Sequence, residues 1–536
     1  MTEQVRTDRT DHASLSSLAL DAEQLGDLEL LLSGAFAPLR GFMTLADVAA
    51  VAAGGTLADG TPWPVPVVLR VPSGAVAAGD DRVLLADPEG TPLAVLEIAE
   101  RAALPDAPGL VQLAGPVTAN RVPEHGSFRR LMISPESARA GFGGGPVLAF
   151  ATRAPLGGRQ IGQLKHLSRE LGARLLLLPL VAGPIEVVRE PEALIRAVLA
   201  AAASLPAGTM VIPVPLAPRA VGGAGGAAGA GSASRAGGAG RSGGSDRARE
   251  VVATAIVAAA HGATHLMADG PDPAVGQSGG ADWPALGCPI PVLAPPDWAY
   301  DPRAEVWRPL SLIEAGTEIA DLSLDQLADM LDSGAPIPAW HAPDAVVAEL
   351  RHARPPRSQR GLVLFLTGLS GSGKSTIARD LRDLLAERAD RRVSLLDGDL
   401  VRSLLSAGLT FSRQDRDLNI ARIGYVAAEV AKHGGIAICA PIAPYAAARE
   451  RVREMVSQVG DFILIHVATP VLVCEQRDRK GLYAKARAGL IENFTGVSDP
   501  YEEPTDAVAV IDTSVVDRDA ASAMIMDLLT SGGWLS

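Results

Sequence analysis

The stretch LVLFLTGLSGSGKS, residues 362–375, decides how the last third of the chain folds. Its first five residues are apolar, as expected of a strand that is buried on both faces of a sheet. The eight residues GLSGSGKS, 368–375, fit the phosphate-loop pattern G-x-x-x-x-G-K-[ST]. Beyond them apolar residues recur at helical spacing, at Ile377, Leu381, Leu384 and Leu385. A buried strand, a glycine-rich turn and an amphipathic helix in this order predict a site for the phosphates of a nucleoside triphosphate.

Each part of such a loop has a chemical task. Backbone N–H groups and the positive end of the helix hold phosphate oxygens, and Lys374 neutralises the β and γ oxygens. The hydroxyl of Ser375 can ligate Mg²⁺. We therefore expect the triphosphate to contact the loop residues Gly368, Ser370, Gly371, Ser372, Gly373, Lys374, Ser375 and Thr376.

A parallel α/β sheet is predicted around this loop. Helical patterns separate further apolar strands, which are VSLL (393–396), IAICA (436–440), FILIHV (462–467) and AVAVID (507–512). Asp397 and Asp399 follow the first of these strands and so lie where open α/β sheets bind ligands. We expect one carboxylate to serve Mg²⁺, with Asp397 beside Ser375 as the candidate, and the other to accept a proton from a hydroxyl nucleophile. A solvated turn capped by an aspartate is the structural alternative.

Composition and charge exclude several classes of protein. A chain of 536 residues is too long for one hydrophobic core, so two or three domains are expected. The formal charge of −13 argues against non-specific binding to nucleic acid or anionic membranes. Cys288, Cys439 and Cys474 predict neither a disulfide framework nor a zinc site. Because no apolar run of about 18 residues occurs, we expect a cytoplasmic protein that does not span a membrane.

Changes in composition along the chain predict its domain boundaries. Short Val- and Leu-rich runs such as DRVLLAD (81–87) indicate strands, and later strands alternate with helical patterns. A run of Gly, Ala, Ser and Arg at 221–245 predicts a flexible insertion, and RHARPPRSQR predicts a solvated linker rather than a nucleic-acid patch. The predicted divisions are a disordered terminus (1–16), a mostly-β domain (17–145), an α/β domain (146–350), the linker (351–360) and the phosphate-loop domain (361–536).

Residues 360–536 resemble one family, the adenylylsulfate (APS) kinases. Four motifs carry the resemblance in order and spacing: GLSGSGKST, LDGDLVR, LTFSRQDRDLNIARIGYVA and VCEQRDRKGLYAKARAGLIENFTGVSDPYEEP. The resemblance implies a P-loop kinase that uses ATP and Mg²⁺. It would transfer the γ-phosphoryl group of ATP to the 3′-hydroxyl of APS, giving 3′-phosphoadenylylsulfate (PAPS) and ADP.

The same resemblance implies where the substrates bind. It adds Arg477 to the ATP contacts and makes Asp399 the catalytic base or its metal-linked partner. Arginine forks suit the phosphate and sulfate oxygens of APS, and two phenylalanine rings suit its adenine. The implied APS contacts are Arg402, Phe411, Arg416, Asn419, Arg422, Ile442, Lys480, Gly481, Leu482 and Phe494.

Two further features take their meaning from the family. Lys480, Lys485 and Arg487 resemble its mobile basic lid, whereas alone they would indicate an exposed helix face. Many members carry a serine, proposed as a phosphorylated intermediate, where this chain has Ala443. No phosphoserine can form there, and direct in-line transfer does not need one.

The residues before the linker resemble a second family, the ATP sulfurylases. LLLSGAFAPLRGFMTLADV (30–48) and GAPIPAWHAPDAVVAELR (334–351) carry the resemblance. The family's catalytic loop Q-T-R-N-P-x-H-R-x-H falls on ATRAPLGGRQ (151–160), which has neither histidine, and its loop G-R-D-H-A-G falls on DGPDPA (269–274). Losing one donor to a developing charge typically costs about 10²- to 10³-fold in rate, so we expect adenylyl transfer to be lost.

Three interpretations of the whole chain remain open. The first is an APS kinase that carries an inactive sulfurylase-like region as a scaffold or regulatory module. The second is a bifunctional ATP sulfurylase and APS kinase. The third is that the N-terminal region senses APS or PAPS, or docks a separate active ATP sulfurylase. In each case we expect a homo-oligomer, with a dimer contact through the kinase domain.

Overall fold

The computed structural model describes residues 15–120, 127–219, 243–268, 287–410, 412–491 and 493–535. Of the terminus predicted to be disordered (1–16), residues 1–14 lie outside the described residues. Residues 221–242 of the predicted insertion also lie outside the described residues. Its last three residues, 243–245, begin a helix. The sulfurylase-like loop at 269–274 and Phe411 also lie outside the described residues.

Two compact units make up the described chain. The first unit ends at Ala353, apart from Ala328–Pro336, which belongs to the second unit together with Arg354–Ser536. One apolar core joins the mostly-β and the α/β regions of the first unit, with buried side chains from Leu18 to Leu266. Within the described ranges, no helix combines the length and the apolar character that crossing a membrane requires.

The first region is mostly β, as predicted. Its seven strands are β1 (Ser17–Ala19), β2 (Gly41–Phe42), β3 (Leu69–Pro72), β4 (Arg82–Ala86), β5 (Pro92–Glu97), β6 (Glu100–Ala103) and β7 (Leu110–Ala119). They form one sheet in the order β1-β4-β5-β7-β2, with β3 and β6 also paired to β7. Its helices are α1 (Ala22–Leu32), α2 (Leu45–Gly54) and α3 (Pro135–Phe142).

The next region is the predicted α/β region. A parallel sheet has the order β10-β9-β8-β11-β12, and its strands are β8 (Val147–Thr152), β9 (Arg174–Pro179), β10 (Met210–Val211), β11 (His265–Met267) and β12 (Val292–Leu293). A hairpin follows, formed by β13 (Trp298–Asp301) and β14 (Val306–Pro309). The helices are α4 (Gly158–Leu171), α5 (Pro191–Ala202), α6 (Gly243–Ala260), α7 (Leu324–Ser333) and α8 (Asp344–Ala353).

The second unit is built on the predicted five-stranded parallel sheet. Its order is β16-β17-β15-β18-β19, and the strands are β15 (Leu362–Thr367), β16 (Val393–Leu396), β17 (Ile436–Cys439), β18 (Asp461–Val467) and β19 (Ala509–Ile511). The helices are α9 (Lys374–Arg388), α10 (Gly398–Leu404), α11 (Arg413–Lys432), α12 (Ala446–Ser457), α13 (Val471–Arg477), α14 (Leu482–Arg487) and α15 (Arg518–Ser531). The predicted fold class, α/β with a P-loop domain after a mostly-β region, is confirmed.

Strand β15 explains why this sheet is covered on both faces. Alternate side chains of a strand point to opposite faces. Leu364 and Leu366 pack with residues of α9 and α15, whereas Val363 and Phe365 pack with residues of α11 and α12. All four side chains are fully buried. The continuous apolar run therefore places β15 in the middle of the unit, and its carboxyl end delivers the phosphate loop to the sheet edge.

The segment 351–360, which we predicted to be a linker, contains the division between the two units after Ala353, and its later residues form ion pairs. Arg354 and Arg360 both pair with Asp332, at 2.6 and 2.5 Å, and Arg360 also contacts Asp461 at 3.2 Å. Burial raises the pKa of Asp332, but the hydrogen bonds from both arginines outweigh burial and hold that pKa at about 2. Residues 351–353 end α8 in the first unit, and the two arginines hold residues 354–360 in the second unit.

Candidate active site

The second unit contains a cavity of about 710 Å³ at the carboxyl end of its sheet. Strand β15 lies between β17 and β18. The two strands that follow it in sequence, β16 and β17, lie on one side of it, and the last two, β18 and β19, lie on the other. Such a switch point in the strand order is where open α/β sheets bind ligands. The phosphate loop and the segment Ala440–Pro444, which follows β17, both line the cavity.

Gly368 and Gly371 let the chain turn from β15 into α9. Their φ angles are +148° and +78°, which residues with a side chain rarely adopt. A Cβ at Gly368 would come within 2.4 Å of the carbonyl oxygen of Val467, so a larger residue does not fit. The turn brings the N-terminus of α9 to the cavity, where free N–H groups and the helix dipole favour phosphate.

Lys374 lies inside this loop, with 6% of its surface exposed. Its ammonium donates hydrogen bonds to the carbonyl oxygens of Gly368 and Leu369, at 2.8 and 2.7 Å. The loop thus holds a cation beside N–H groups that can bind phosphate. Of the predicted loop contacts, Gly368 and Ser372 shape the loop without lining the cavity, and the residues that line it are Ser370, Gly371, Gly373, Lys374, Ser375 and Thr376.

Asp397 lines the cavity beside the loop. Ser375 donates a hydrogen bond to its Oδ1 at 3.2 Å, and Arg379 contacts its Oδ2 at 3.1 Å. A hydroxyl and a carboxylate at this spacing are the hard oxygen donors that Mg²⁺ prefers, so the predicted metal pair fits that ion. Arg379 was missed from the sequence because a single arginine within a helix carries no motif.

The second acidic residue, Asp399, lies in the first turn of α10. Gly398, its neighbour, lines the cavity, which brings the backbone of this turn to the rim. The side chains of Asp399 and Arg402 lie outside the described part of the structure, so their roles stay predictions.

Arg477 reaches the phosphate loop from the end of α13. Its guanidinium donates hydrogen bonds to the hydroxyl and the carbonyl oxygen of Thr513, both at 2.8 Å. Thr513 and Thr469 in turn donate to the carbonyl oxygen of Ser372, at 2.9 and 3.0 Å. The predicted ATP contact therefore lines the cavity, held by threonines that no sequence motif singles out.

Arg416 and Asn419 bring α11 to the same cavity. Arg416 pairs with Asp499 at 2.9 Å and donates to the hydroxyl of Tyr445 at 2.8 Å, and that hydroxyl donates to Asp499. Burial and the bond to Asp499 raise the pKa of Tyr445, so the hydroxyl stays protonated and orients the arginine. Among the described residues, Arg416 Nε and Asn419 Oδ1 are buried without a partner. Buried polar atoms are rarely left so, and both can serve a ligand.

The other predicted APS contacts divide into two groups. Arg422 does not line the cavity; it donates to the carbonyl oxygen of Leu405 at 2.7 Å. Gly481 does not line it either, and instead begins α14 with a φ of +64°. The four that line the cavity are Ile442, Lys480, Leu482 and Phe494.

The predicted basic lid corresponds to α14 and the residues before it. Lys480 lines the cavity, whereas Lys485 and Arg487 do not. Arg487 instead forms two hydrogen bonds with Glu475, at 2.9 and 3.0 Å. One lysine of the predicted lid therefore faces the substrates, and the arginine fixes the helix to α13.

A second cavity, of about 410 Å³, lies in the first unit beside the sulfurylase-like loop at 151–160. Arg153 in this loop donates to the carbonyl oxygens of Ala182 and Leu216, and it pairs with Glu250 at 3.4 Å. Its hydrogen-bonding capacity is thus directed to the protein. Glu186 and Glu250 line the same cavity together with Arg159 and Arg247.

Gly157 and Gln160 stand where the family's loop has its two histidines, and they bind each other. Gln160 accepts a hydrogen bond from the backbone N–H of Gly157 at 3.2 Å, which satisfies a free group at the start of α4. Neither residue lines the second cavity. At these positions the Gln160 side chain therefore stabilises the start of α4, and Gly157 supplies the backbone N–H that it binds.

Comparison with known proteins assigns both units to families. The family model for adenylylsulphate kinases matches residues 360–512, and a PUA-like domain matches residues 1–106. A sulfate adenylyltransferase of Phaeosphaeria nodorum is 36% identical over 573 residues, covering 97% of this chain and 94% of its own. Another, of Chaetomium globosum, is 35% identical and covers 98% of this chain and 95% of its own.

A solved structure matches over nearly the same length. It is a hexameric APS kinase from Thiobacillus denitrificans, which has a TM-score of 0.74 and 33% sequence identity and covers 98% of this chain and 95% of its own. The two resemblances inferred from the sequence are therefore confirmed. The chain belongs to the sulfate adenylyltransferase family, and its second unit is an adenylylsulfate kinase domain that makes the protein a phosphotransferase.

Proposed function

We propose that this protein transfers the γ-phosphoryl group of ATP to the 3′-hydroxyl of APS, giving PAPS and ADP, and that it does not make APS. The main support for this proposal is the cavity of about 710 Å³, which is lined by the phosphate loop, by Asp397 and by the helix α11 that bears Arg416. It offers one wall to a triphosphate and another to a second anionic nucleotide.

The loop side of the cavity accepts ATP. Loop N–H groups hold the phosphates, Lys374 neutralises their charge, and Arg477 lies beside the loop. Ser375 and Asp397 would hold Mg²⁺, which when bound neutralises charge on the phosphate oxygens. Since Asp397 already contacts Ser375 and Arg379, Asp399 is the better candidate for the base that accepts the 3′-hydroxyl proton.

The remaining walls suit APS. Arg416 and Lys480 supply positive charge for its phosphate and sulfate oxygens, with Arg402 as a further candidate. Phe494, which is 5% exposed, supplies a ring for its adenine, with Phe411 as the predicted partner. Asn419 Oδ1, which has no partner among the described residues, can accept a hydrogen bond from the nucleotide.

The names of the relatives favour a second candidate, a bifunctional sulfate adenylyltransferase and APS kinase. Against it, Arg153 is bound to two carbonyl oxygens and Glu250, and the loop that carries it has no histidine. Adenylyl transfer needs preorganised donors where negative charge develops. We therefore assign the first unit a scaffold or regulatory role, and a separate ATP sulfurylase would supply the APS.

We also propose that the chain forms homo-oligomers in the cytoplasm. The free thiols of its three cysteines suit a reducing compartment. The structural relative from Thiobacillus denitrificans is hexameric. In the second unit Leu405, Leu418 and Tyr425 are 46%, 42% and 63% exposed. Leu418 and Tyr425 lie on α11, and Arg422 of the same helix donates a hydrogen bond to the carbonyl oxygen of Leu405. This apolar face is our candidate for the dimer contact.

Replacing Lys374 by methionine should abolish PAPS formation from supplied APS and ATP. Methionine keeps most of the buried volume but removes the charge, and loss of one such charge-stabilising group costs about 10²- to 10³-fold in rate. PAPS is measured by chromatography. Lys432→Met, at an exposed position on α11, is the matched control. Normal turnover by a folded Lys374→Met protein would refute the kinase site.

Exchanging each aspartate for asparagine should separate base from metal ligand. Asp399→Asn should lower kcat by about 10²- to 10⁴-fold with little change in APS affinity, because proton acceptance is lost. Asp397→Asn should instead raise the Mg²⁺ concentration at half-maximal rate, because a carboxylate ligand is lost. The readouts are kcat, KM and a Mg²⁺ titration of each variant. If Asp399→Asn changes only the KM for APS, Asp399 is a binding residue.

The purified full chain should release no pyrophosphate from ATP and sulfate, yet convert supplied APS to PAPS. Losing two essential donors predicts a fall of about four orders of magnitude in adenylyl transfer, with non-additivity making the size approximate. Sulfate-dependent pyrophosphate release is measured with Mg²⁺ and pyrophosphatase, beside the Lys374→Met variant that blocks the kinase. Release at an ordinary enzymatic rate would establish the bifunctional alternative.

Leu418→Asp should reduce the oligomer mass measured by light scattering, because a charge placed in a packed apolar contact is strongly unfavourable. Leu472→Asp, at a position that is 67% exposed on α13, is the control and should keep the wild-type mass. An unchanged mass for Leu418→Asp would place the contact elsewhere on the chain.

A further inference from the structure

A small apolar cluster lies beside the active-site cavity, apart from the two layers that cover the sheet. Its buried members are Cys474, Tyr483, Ala486 and Phe494. Partly buried side chains pack against it, and these are Leu369, Val471, Leu482, Ile491 and Val497. The cluster thus joins the phosphate loop, α13, α14 and the segment that carries Phe494.

Tyr483 occupies the centre of these contacts and is 1% exposed. Its hydroxyl donates a hydrogen bond to the carbonyl oxygen of Ser370 in the phosphate loop, at 2.9 Å. Its ring meets that of Phe494 edge-on, with 5.0 Å between the ring centres and 78° between the planes. One side chain therefore contacts both the ATP loop and the ring proposed to hold the adenine of APS.

Two glycines show how closely the backbone segments approach one another. A Cβ at Gly371 in the loop would lie 3.0 Å from the carbonyl oxygen of Cys474 on α13. A Cβ at Gly496, just after Phe494, would lie 3.0 Å from the side chain of Leu369 in the loop. Packing this tight transmits displacement, because there is no free volume to absorb it.

The helix that carries Tyr483 is fixed independently of the tyrosine hydroxyl. The carboxylate of Asp478 accepts hydrogen bonds from the backbone N–H groups of Tyr483 and Ala484, at 3.1 and 3.0 Å. Arg487 binds Glu475 near the other end. The hydroxyl is therefore not needed to keep α14 in place, and its bond to Ser370 serves the loop.

We propose that Tyr483 is a positioning residue that couples ATP binding to APS binding. The inference rests on the proposed function, since it takes Phe494 as an APS contact. When phosphates fix the loop, the Ser370 carbonyl fixes the tyrosine, and the tyrosine ring holds Phe494 in place for the adenine. Because the packing between these groups leaves no free volume, the loop position that ATP selects also sets the position of Phe494, which favours tighter APS binding.

The test is a thermodynamic cycle on the full chain. APS affinity is measured by calorimetry with and without Mg²⁺ and a non-hydrolysable ATP analogue. In the wild-type protein the analogue should tighten APS binding by about fivefold or more, the lower end of typical coupling. In Tyr483→Phe, which keeps the ring and loses the hydroxyl, this ratio should fall to within about twofold of one. A residue that merely stabilised the fold would change the melting temperature and leave the ratio unchanged.

Tyr300→Phe is the matched control, because Tyr300 is a half-buried tyrosine of the first unit and does not line the cavity. It should keep the wild-type ratio. Linkage also requires APS to tighten binding of the analogue by the same factor. A wild-type ratio of one, or a wild-type ratio in Tyr483→Phe, would overturn the coupling while leaving the kinase assignment intact. Failure of the wild-type protein to bind APS under either condition would instead overturn the proposed function.

Discussion

The turn from β15 into α9 is the constraint on which the second unit depends. The strand is buried on both faces, the helix must pack back on the same sheet, and Gly368 has no room for a side chain beside Val467. These conditions force backbone N–H groups and a helix N-terminus to converge on one point. The cavity, the position of Lys374 and the approach of α13 all follow from that turn.

The two cavities differ in whether an arginine at each one has an N–H group left to donate to a ligand. In the second unit Arg416 is oriented by Asp499 and Tyr445, yet its Nε has no partner among the described residues. In the first unit Arg153 is bound by two carbonyl oxygens and a glutamate. An oriented cation with spare donors can bind an anion, whereas a satisfied cation gains little by doing so. The same residue type thus supports a substrate-binding proposal in the second unit and a structural role in the first.

The first unit keeps its fold although its loop has lost the family's histidines. Its apolar core extends from the mostly-β region into the α/β region, and Gly157 and Gln160, at the positions of the family's histidines, are not among its residues. At position 160 the glutamine serves the backbone of α4. The residues that pack the core are therefore not the two at the positions of the family's histidines, which is compatible with the scaffold or regulatory role that we propose.

The sequence alone determined the phosphate loop, with Lys374 and Ser375 in it, and the five strands of the second unit, because each depends on neighbours within a few residues. Tertiary structure decided the rest. Tyr483 meets Ser370 across 113 residues, and Arg416 meets Asp499 across 83. Arg360 is charged and ends a segment rich in Arg and Pro, which predicts exposure, yet Asp332 and Asp461 converge on it and bury it. Such contacts arise only when distant segments pack together, and no local pattern encodes which residues will meet.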